Sequence, residues 1–200
     1  MPNILAIETS SELASCALLI DTHRGSHVLS RESGGVRTAC GVAQGLAFGA
    51  ELPVIPLVTL AAMAEACRAR TGAVEVLAVL DARMNEVYWA QYRYDGARWT
   101  TVAEPALSAP EAVQPLATDG LAACGNGFAA YPQAFEGKDF ALGAHADIVP
   151  HARELAVLAA PALAAGQALP AAEAQPLYLR NKVAYTSAER QAINAAKAGA

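Results

Sequence analysis

An α/β architecture in two lobes, each built on a mixed sheet, follows from three features of the 200-residue sequence. The chain opens with three short strand-like runs separated by turn residues. A nearly all-apolar run, Val74 to Leu80, has the composition of a strand covered on both faces. Helical patterns alternate with strands on both sides of it, giving the order β-β-β-α-β-α, then β-β-β-α-β-α-α. The break between the two halves is expected near Leu80, with lobes at 1–80 and 81–185 and a frayed tail at 186–200.

Asn3 to Thr9 reads as a buried strand ended by the polar cluster Thr9-Ser10-Ser11-Glu12. Ala14 to Ile20 and Ser26 to Arg31 follow as its antiparallel continuation, joined by Asp21-Thr22-His23-Arg24-Gly25. From Val36 to Glu51 the period becomes helical, and Gly41, Gly45 and Gly49 recur every fourth residue. Gln44 and Phe48 are placed on the same side. Each interior glycine costs up to about 1 kcal/mol relative to alanine, so three in register imply a backbone that must come close. Val54 to Leu57 reads as a short strand. Thr59 is the expected N-cap of a helix running to about Arg70, closed by Gly72.

Glu86 to Tyr94, rich in aromatic and β-branched residues, pairs through Asp95-Gly96 with a strand at Arg98 to Ala103. Pro110 starts a short helix. Leu121 to Cys124 is a brief strand running into Gly125-Asn126-Gly127 and a further helix. Ile148 to Ala165 forms an alanine-rich helix, Gly166 to Ala174 a loop, and Gln175 to Arg180 a last apolar segment.

Composition bounds the function. Hydrophobic residues make up 54%, but 48 of the 200 are alanine, so about 60 larger apolar residues fill the core. A chain this long buries roughly 70% of its unfolded surface and needs neither disulfide nor metal to hold together. Fourteen basic against nineteen acidic side chains leave a net charge of −5, and only 16% of residues are charged. That balance argues against a protein gripping nucleic acid by a basic face of its own. No run approaches 18 apolar residues, and the richest, Leu155 to Ala165, contains Pro161. The N-terminus lacks a basic leader. Cys16, Cys40, Cys67 and Cys124 are scattered, as small core residues of a reduced, cytoplasmic compartment would be.

Few residues are placed for chemistry. The turn Glu8-Thr9-Ser10-Ser11 has the hydroxyls with which actin-like and sugar-kinase folds hold phosphate or metal, and equally those of an ordinary Ser/Thr turn. Gly125-Asn126-Gly127 fits a remnant glycine loop, but no GxxxxGK[ST] phosphate loop is present. His23 and His27 share HxxxH spacing across a hairpin turn, which does not align them as metal ligands. His145 and His151 have no carboxylate–histidine cluster nearby in sequence. There is no GxSxG elbow. Asp81 and Glu86 flank Arg83 at the end of the central strand, either as a ligand-bearing loop or as a salt-bridge cluster tying the lobes together. Arg37 opens the glycine helix, where the helix dipole favours an anion.

Five segments in order resemble the bacterial TsaB family, also called YeaZ. They are ILAIETSS at Ile4 to Ser11, VRTACGVAQGLAFG at Val36 to Gly49, DARMNEVYWAQY at Asp81 to Tyr92, CGNGFAAYP at Cys124 to Pro132, and PLYLRNKVA at Pro176 to Ala184. The resemblance implies a two-lobed actin-like ATPase (ribonuclease H-like) fold. It further implies a part in making N6-threonylcarbamoyladenosine next to the anticodon of tRNAs that read codons starting with A. In that family the chain is a degenerate paralogue of TsaD and acts by pairing with it, together with the ATPase TsaE. A non-catalytic subunit is therefore expected, without a cofactor of its own, ATP and metal belonging to TsaD and TsaE. It would meet tRNA only through the complex, touch no membrane, and pair with itself when alone. The expected interface is Arg37, Cys40, Gly41, Gln44, Gly45, Phe48 and Gly49. Glu8, Thr9, Ser10, Asp81, Gly125 and Gly127 are candidates for a vestigial nucleotide site. The competing reading is an actin-like ATPase or glycoprotease-like peptidase acting alone. The acidic balance makes a direct tRNA-binding module the weakest of the competing readings. One departure is large: family members carry a helix, a strand and a GPGSFTG-type loop where Gly34-Gly35 here runs straight into Val36. That helix packs with the glycine helix in the family, so its absence exposes apolar surface and removes part of the pairing face.

Overall fold

The nearly unbroken apolar run of Val74 to Leu80 sets the layering. In a computed structural model of the chain, which describes residues 3–8, 13–22, 25–34, 39–116 and 119–179, these residues lie in β4 (Glu75–Arg83). Period-2 geometry sends Val76, Ala78 and Leu80 to one face and Leu77 and Val79 to the other, and each set enters a different buried cluster. The strand is the centre of a four-stranded sheet with β5 (Glu86–Tyr94), β6 (Trp99–Ser108) and β7 (Leu121–Cys124), in the order β6-β5-β4-β7. β4 pairs antiparallel with β5 and parallel with β7, so this sheet is mixed.

The opening meander forms a separate sheet. β1 (Ile4–Glu8), β2 (Leu13–Thr22) and β3 (Gly25–Gly34) pair antiparallel in sequence order. Its described strands are all antiparallel, not mixed as expected, and β1 is an edge with Leu5 55% exposed.

Between the sheets runs α2 (Thr59–Thr71), whose faces serve both. Ala62 packs with Ala6, Ala17 and Leu19 of the first sheet, while Met63 and Cys67 pack with Val76, Ala78 and Cys124 of the second. Gly72 ends the helix at φ 77° and donates its N–H to Arg68, as the sequence predicts. Thr59 is not the cap. Val58 holds that position, and the Thr59 hydroxyl donates to Glu8 Oε2 instead. α5 (Ala152–Ala164) crosses back to the first sheet, burying Ala152, Leu155 and Ala156 against it. The opposite face of the second sheet is closed by α3 (Gly127–Ala130) and α4 (Pro132–Phe135), through Phe128 and Phe135, whose rings lie 4.6 Å apart at a tilt of 51°.

Two boundaries are corrected. Leu80 lies inside β4, so the division between sheets precedes Glu75. Val54 to Leu57 makes only an isolated bridge, Val54 to Leu169, because no described strand lies alongside to extend it. Of the four free cysteines, Cys67 and Cys124 are the buried core residues expected, whereas Cys16 is exposed and Cys40 half-buried.

One buried polar network fixes the second sheet. Gln91, fully buried, donates Nε2 to Glu75 Oε1 at 2.7 Å and accepts the Leu116 N–H at 2.8 Å. Arg93 Nε holds the other Glu75 oxygen. Gln91→Ala removes one partner from a buried carboxylate and one from a loop amide, and opens a cavity. A loss of about 2–4 kcal/mol in urea unfolding is expected.

Candidate partner interface

The glycine helix is α1 (Ala39–Gly49), and no residue from Ala39 to Ala50 is charged. Among the described residues, a Cβ built on Gly41, Gly45 or Gly49 meets nothing within 4 Å. The described fold therefore does not require the missing side chains. Beside the glycines Val42, Leu46 and Phe48 are exposed, Phe48 to 80%. The result is a neutral, apolar face with a low ridge along one strip, open to close approach by another backbone.

The inward strip is different. Cys40 and Gln44 are half-buried and Ala47 is buried, one helical turn apart along the axis. Gln44 Nε2 donates to the carbonyls of Ala171 at 3.1 Å and Ala174 at 2.7 Å. Gln44 thus faces its own chain and not the glycine side where the sequence reading put it. Arg37 lies outside the described residues.

The predicted nucleotide-site residues fall at the carboxyl ends of β1, β4 and β7. Glu8 is buried and accepts the Thr59 hydroxyl at 3.1 Å. Across the ladder from it, Ser15 Oγ accepts the Ala152 N–H at the start of α5, at 2.9 Å. His151 caps that helix, its Nδ1 accepting from Arg153 N. Thr9 and Ser10 lie outside the described residues, as do the side chains of His23 and His27.

Asp81 is engaged within its own lobe. Oδ1 accepts the Arg83 N–H at 2.8 Å and the Tyr131 hydroxyl at 2.9 Å, and Oδ2 lies 3.3 Å from Arg83 Nη1. The Asp81 N–H donates to Asn126 Oδ1. These contacts hold a turn in which Arg83, Met84 and Asn85 all have positive φ, near 60°. Such conformations are uncommon outside glycine, and Met84-Asn85 forms the two-residue loop between paired Arg83 and Glu86. Partial burial and the Asp81 carboxylate push the Tyr131 hydroxyl above its ordinary pKa, so it stays a donor. Every Asp81 partner named here belongs to the second lobe.

Gly125 and Gly127 serve packing. A Cβ on Gly125, at φ 115°, would lie 2.0 Å from the Val79 carbonyl oxygen, and one on Gly127 would lie 2.7 Å from Val79 Cγ1. Their spacing meets the demand of β4 for bare backbone, which is sufficient reason for both glycines. Among the described residues no group of three or more His, Cys, Asp or Glu could hold a metal ion. No described helix is long and apolar enough to cross a membrane.

The sequence of this chain is 38% identical over 156 residues to the tRNA threonylcarbamoyladenosine biosynthesis protein TsaB of Escherichia coli K12, a match covering 76% of this chain and 67% of that protein. The chain belongs to the TsaB family. TsaB of Haemophilus influenzae is 39% identical over 164 residues, 76% of this chain and 66% of its own length. The chain thus spans about two thirds of these relatives. Residues 33–197 also match the TsaD family, described as tRNA N6-adenosine threonylcarbamoyltransferase. YeaZ from Pseudomonas aeruginosa superposes with a TM-score of 0.79 at 30% identity, covering 90% of this chain and all of that one. A crystal structure of an uncharacterised protein with similarity to peptidase YEAZ, from the same organism, gives 0.78 at 29%. The fold is thus the two-lobed actin-like one. The junction where the TsaB-family helix, strand and loop are missing, 35–38, lies outside the described residues.

Sequence reasoning missed Val42 and Leu46 on the open face, although their i, i+4 spacing beside Gly45 and Gly49 carries that signal. It also missed Asn126 and Tyr131, the partners of Asp81, which are 45 and 50 residues away and leave no local pattern.

Proposed function

We propose that this chain is a non-catalytic subunit that pairs through α1 with a TsaD-type transferase. With TsaE, the pair carries out threonylcarbamoylation of the adenosine beside the tRNA anticodon. ATP and metal are handled by those partners, tRNA is met only through the assembly, and the setting is the cytoplasm. Without its partner, the same face takes a second copy. The observation that carries this reading is the row Gly41, Gly45 and Gly49, open in space on an uncharged helix with exposed apolar neighbours. Three glycines weaken a helix that its own described fold does not ask them to weaken. Docking of a second helix supplies the reason.

Reconstitution tests it. TsaD, TsaE, tRNA and ATP given preformed threonylcarbamoyl-adenylate should make modified adenosine only when this chain is added. The chain alone with magnesium and ATP should release no phosphate above blank. Hydrolysis by the chain alone, abolished by Thr9→Ala or Asp81→Ala, would instead make it an ATPase in its own right.

A further inference from the structure

The segment after α5 runs back along α1. Val54 and Leu169 exchange both backbone hydrogen bonds just beyond the C-terminal end of α1. Two residues further on, the Gln44 amide reaches the carbonyls of Ala171 and Ala174. These flank the 3-10 turn Ala171–Glu173, so one side chain clamps both ends of that turn. Bridge and clamp together lay a strap, residues 168–174, antiparallel to α1 along its inward edge. Strap and helix end border a shallow, open depression of about 510 Å³, lined in part by Ala47, Phe48, Leu52, Pro53, Leu169 and Pro170. Beyond the clamp, Leu177 and Tyr178 are 61% and 80% exposed.

Resting on the pairing role above, we infer that the strap and its extension to Tyr178 form the second strip of the pairing face, with Gln44 as the positioning residue that holds it there. The occupant is the corresponding helix and strap of a TsaD-type chain, whose apolar side chains fill the depression and cover Leu177 and Tyr178. Two observations identify it. The match to the TsaD family runs from 33 to 197 and so takes in both strips. A homologous partner then carries both, and related chains that meet about a two-fold axis place like patch on like patch. The charge pattern agrees. From Ala39 to Ala50 there is no charged residue, and from Gly166 to Tyr178 only Glu173, so the occupant is apolar and brings little charge to desolvate.

The test titrates TsaD with the full chain and four variants: Gly45→Leu, Gln44→Leu, Leu177→Ser/Tyr178→Ser, and the last two changes combined. Leu177→Ser/Tyr178→Ser should weaken binding about tenfold or more with an unchanged unfolding midpoint, since both side chains are exposed. Gln44→Leu should weaken it comparably, and the combined variant little further, because both act through one strap. Bound TsaD should slow deuterium uptake in peptide 168–178. Unchanged affinity for Leu177→Ser/Tyr178→Ser and no protection there, with Gly45→Leu still disrupting, overturns the strap while leaving the pairing role standing. Additive losses overturn the positioning role of Gln44. Full affinity in every variant overturns the pairing role and the strap together.

Discussion

Gly125→Ala should cost at least about 4 kcal/mol of stability, and the variant will fold poorly or not at all. The new methyl carbon would sit 2.0 Å from the Val79 carbonyl oxygen and 2.6 Å from Met63 Cε. The methionine end can move. The carbonyl cannot, because Val79 lies in the middle of β4, fully buried and paired to Trp89 of β5, directly after Ala78, which is paired to Cys124 of β7. The φ of 115° adds strain for any side chain, so relief of the clash would not restore the native turn. In contrast, Gly41→Ala should raise stability by up to about 1 kcal/mol, since it improves helix propensity and meets no described atom. Urea unfolding of the two variants measures both. A Gly125→Ala protein within 1 kcal/mol of the parent would show that β7 can withdraw from β4, and that Gly125 is not there for packing.

That contrast shows what can be read from sequence and what cannot. The register of Gly41, Gly45 and Gly49 is plain in the sequence, but its direction is not, because inward packing and outward docking both ask for bare backbone. Gly125 and Gly127 have the spacing of a phosphate loop, yet their neighbour is Val79, 46 residues earlier and invisible to any local pattern. The apolar run of β4 and the Gly72 end of α2 are legible because they depend on neighbouring residues alone, whereas the Thr59 hydroxyl, expected to cap α2, turns to Glu8, 51 residues away. The sharing of α2 between two sheets is not, and this is why Leu80 looked like a boundary. Its true place precedes Glu75, where the chain leaves the shared helix. Gln44 fails for the same reason. On the helix it adjoins Gly45, and only carbonyls 127 and 130 residues away turn it inward.

Gly45→Leu should abolish pairing with TsaD, weakening it by about a hundredfold or more, while the isolated chain melts slightly higher. The two effects have separate physical sources. In the free chain the added Cβ meets no described atom within 4 Å, and leucine in place of an interior glycine strengthens the helix by several tenths of a kcal/mol. For a chain of this size that raises the midpoint by roughly 1–3 °C. In the complex the same side chain stands where the second helix must come closest. Ordinary helix pairs sit about 8–10 Å apart, and glycine faces allow less. A leucine at the centre of the row props the helices apart, and the contacts of Val42, Leu46 and Phe48 are lost together rather than singly. Gly45→Ala grades the effect: a single methyl should weaken binding by an intermediate factor with the same small rise in midpoint. Calorimetric titration with circular dichroism melts reads both quantities on one preparation. A midpoint that drops for Gly45→Leu would mean that the glycine row serves the chain's own core. Undiminished affinity alongside a raised midpoint would move the partner to another face.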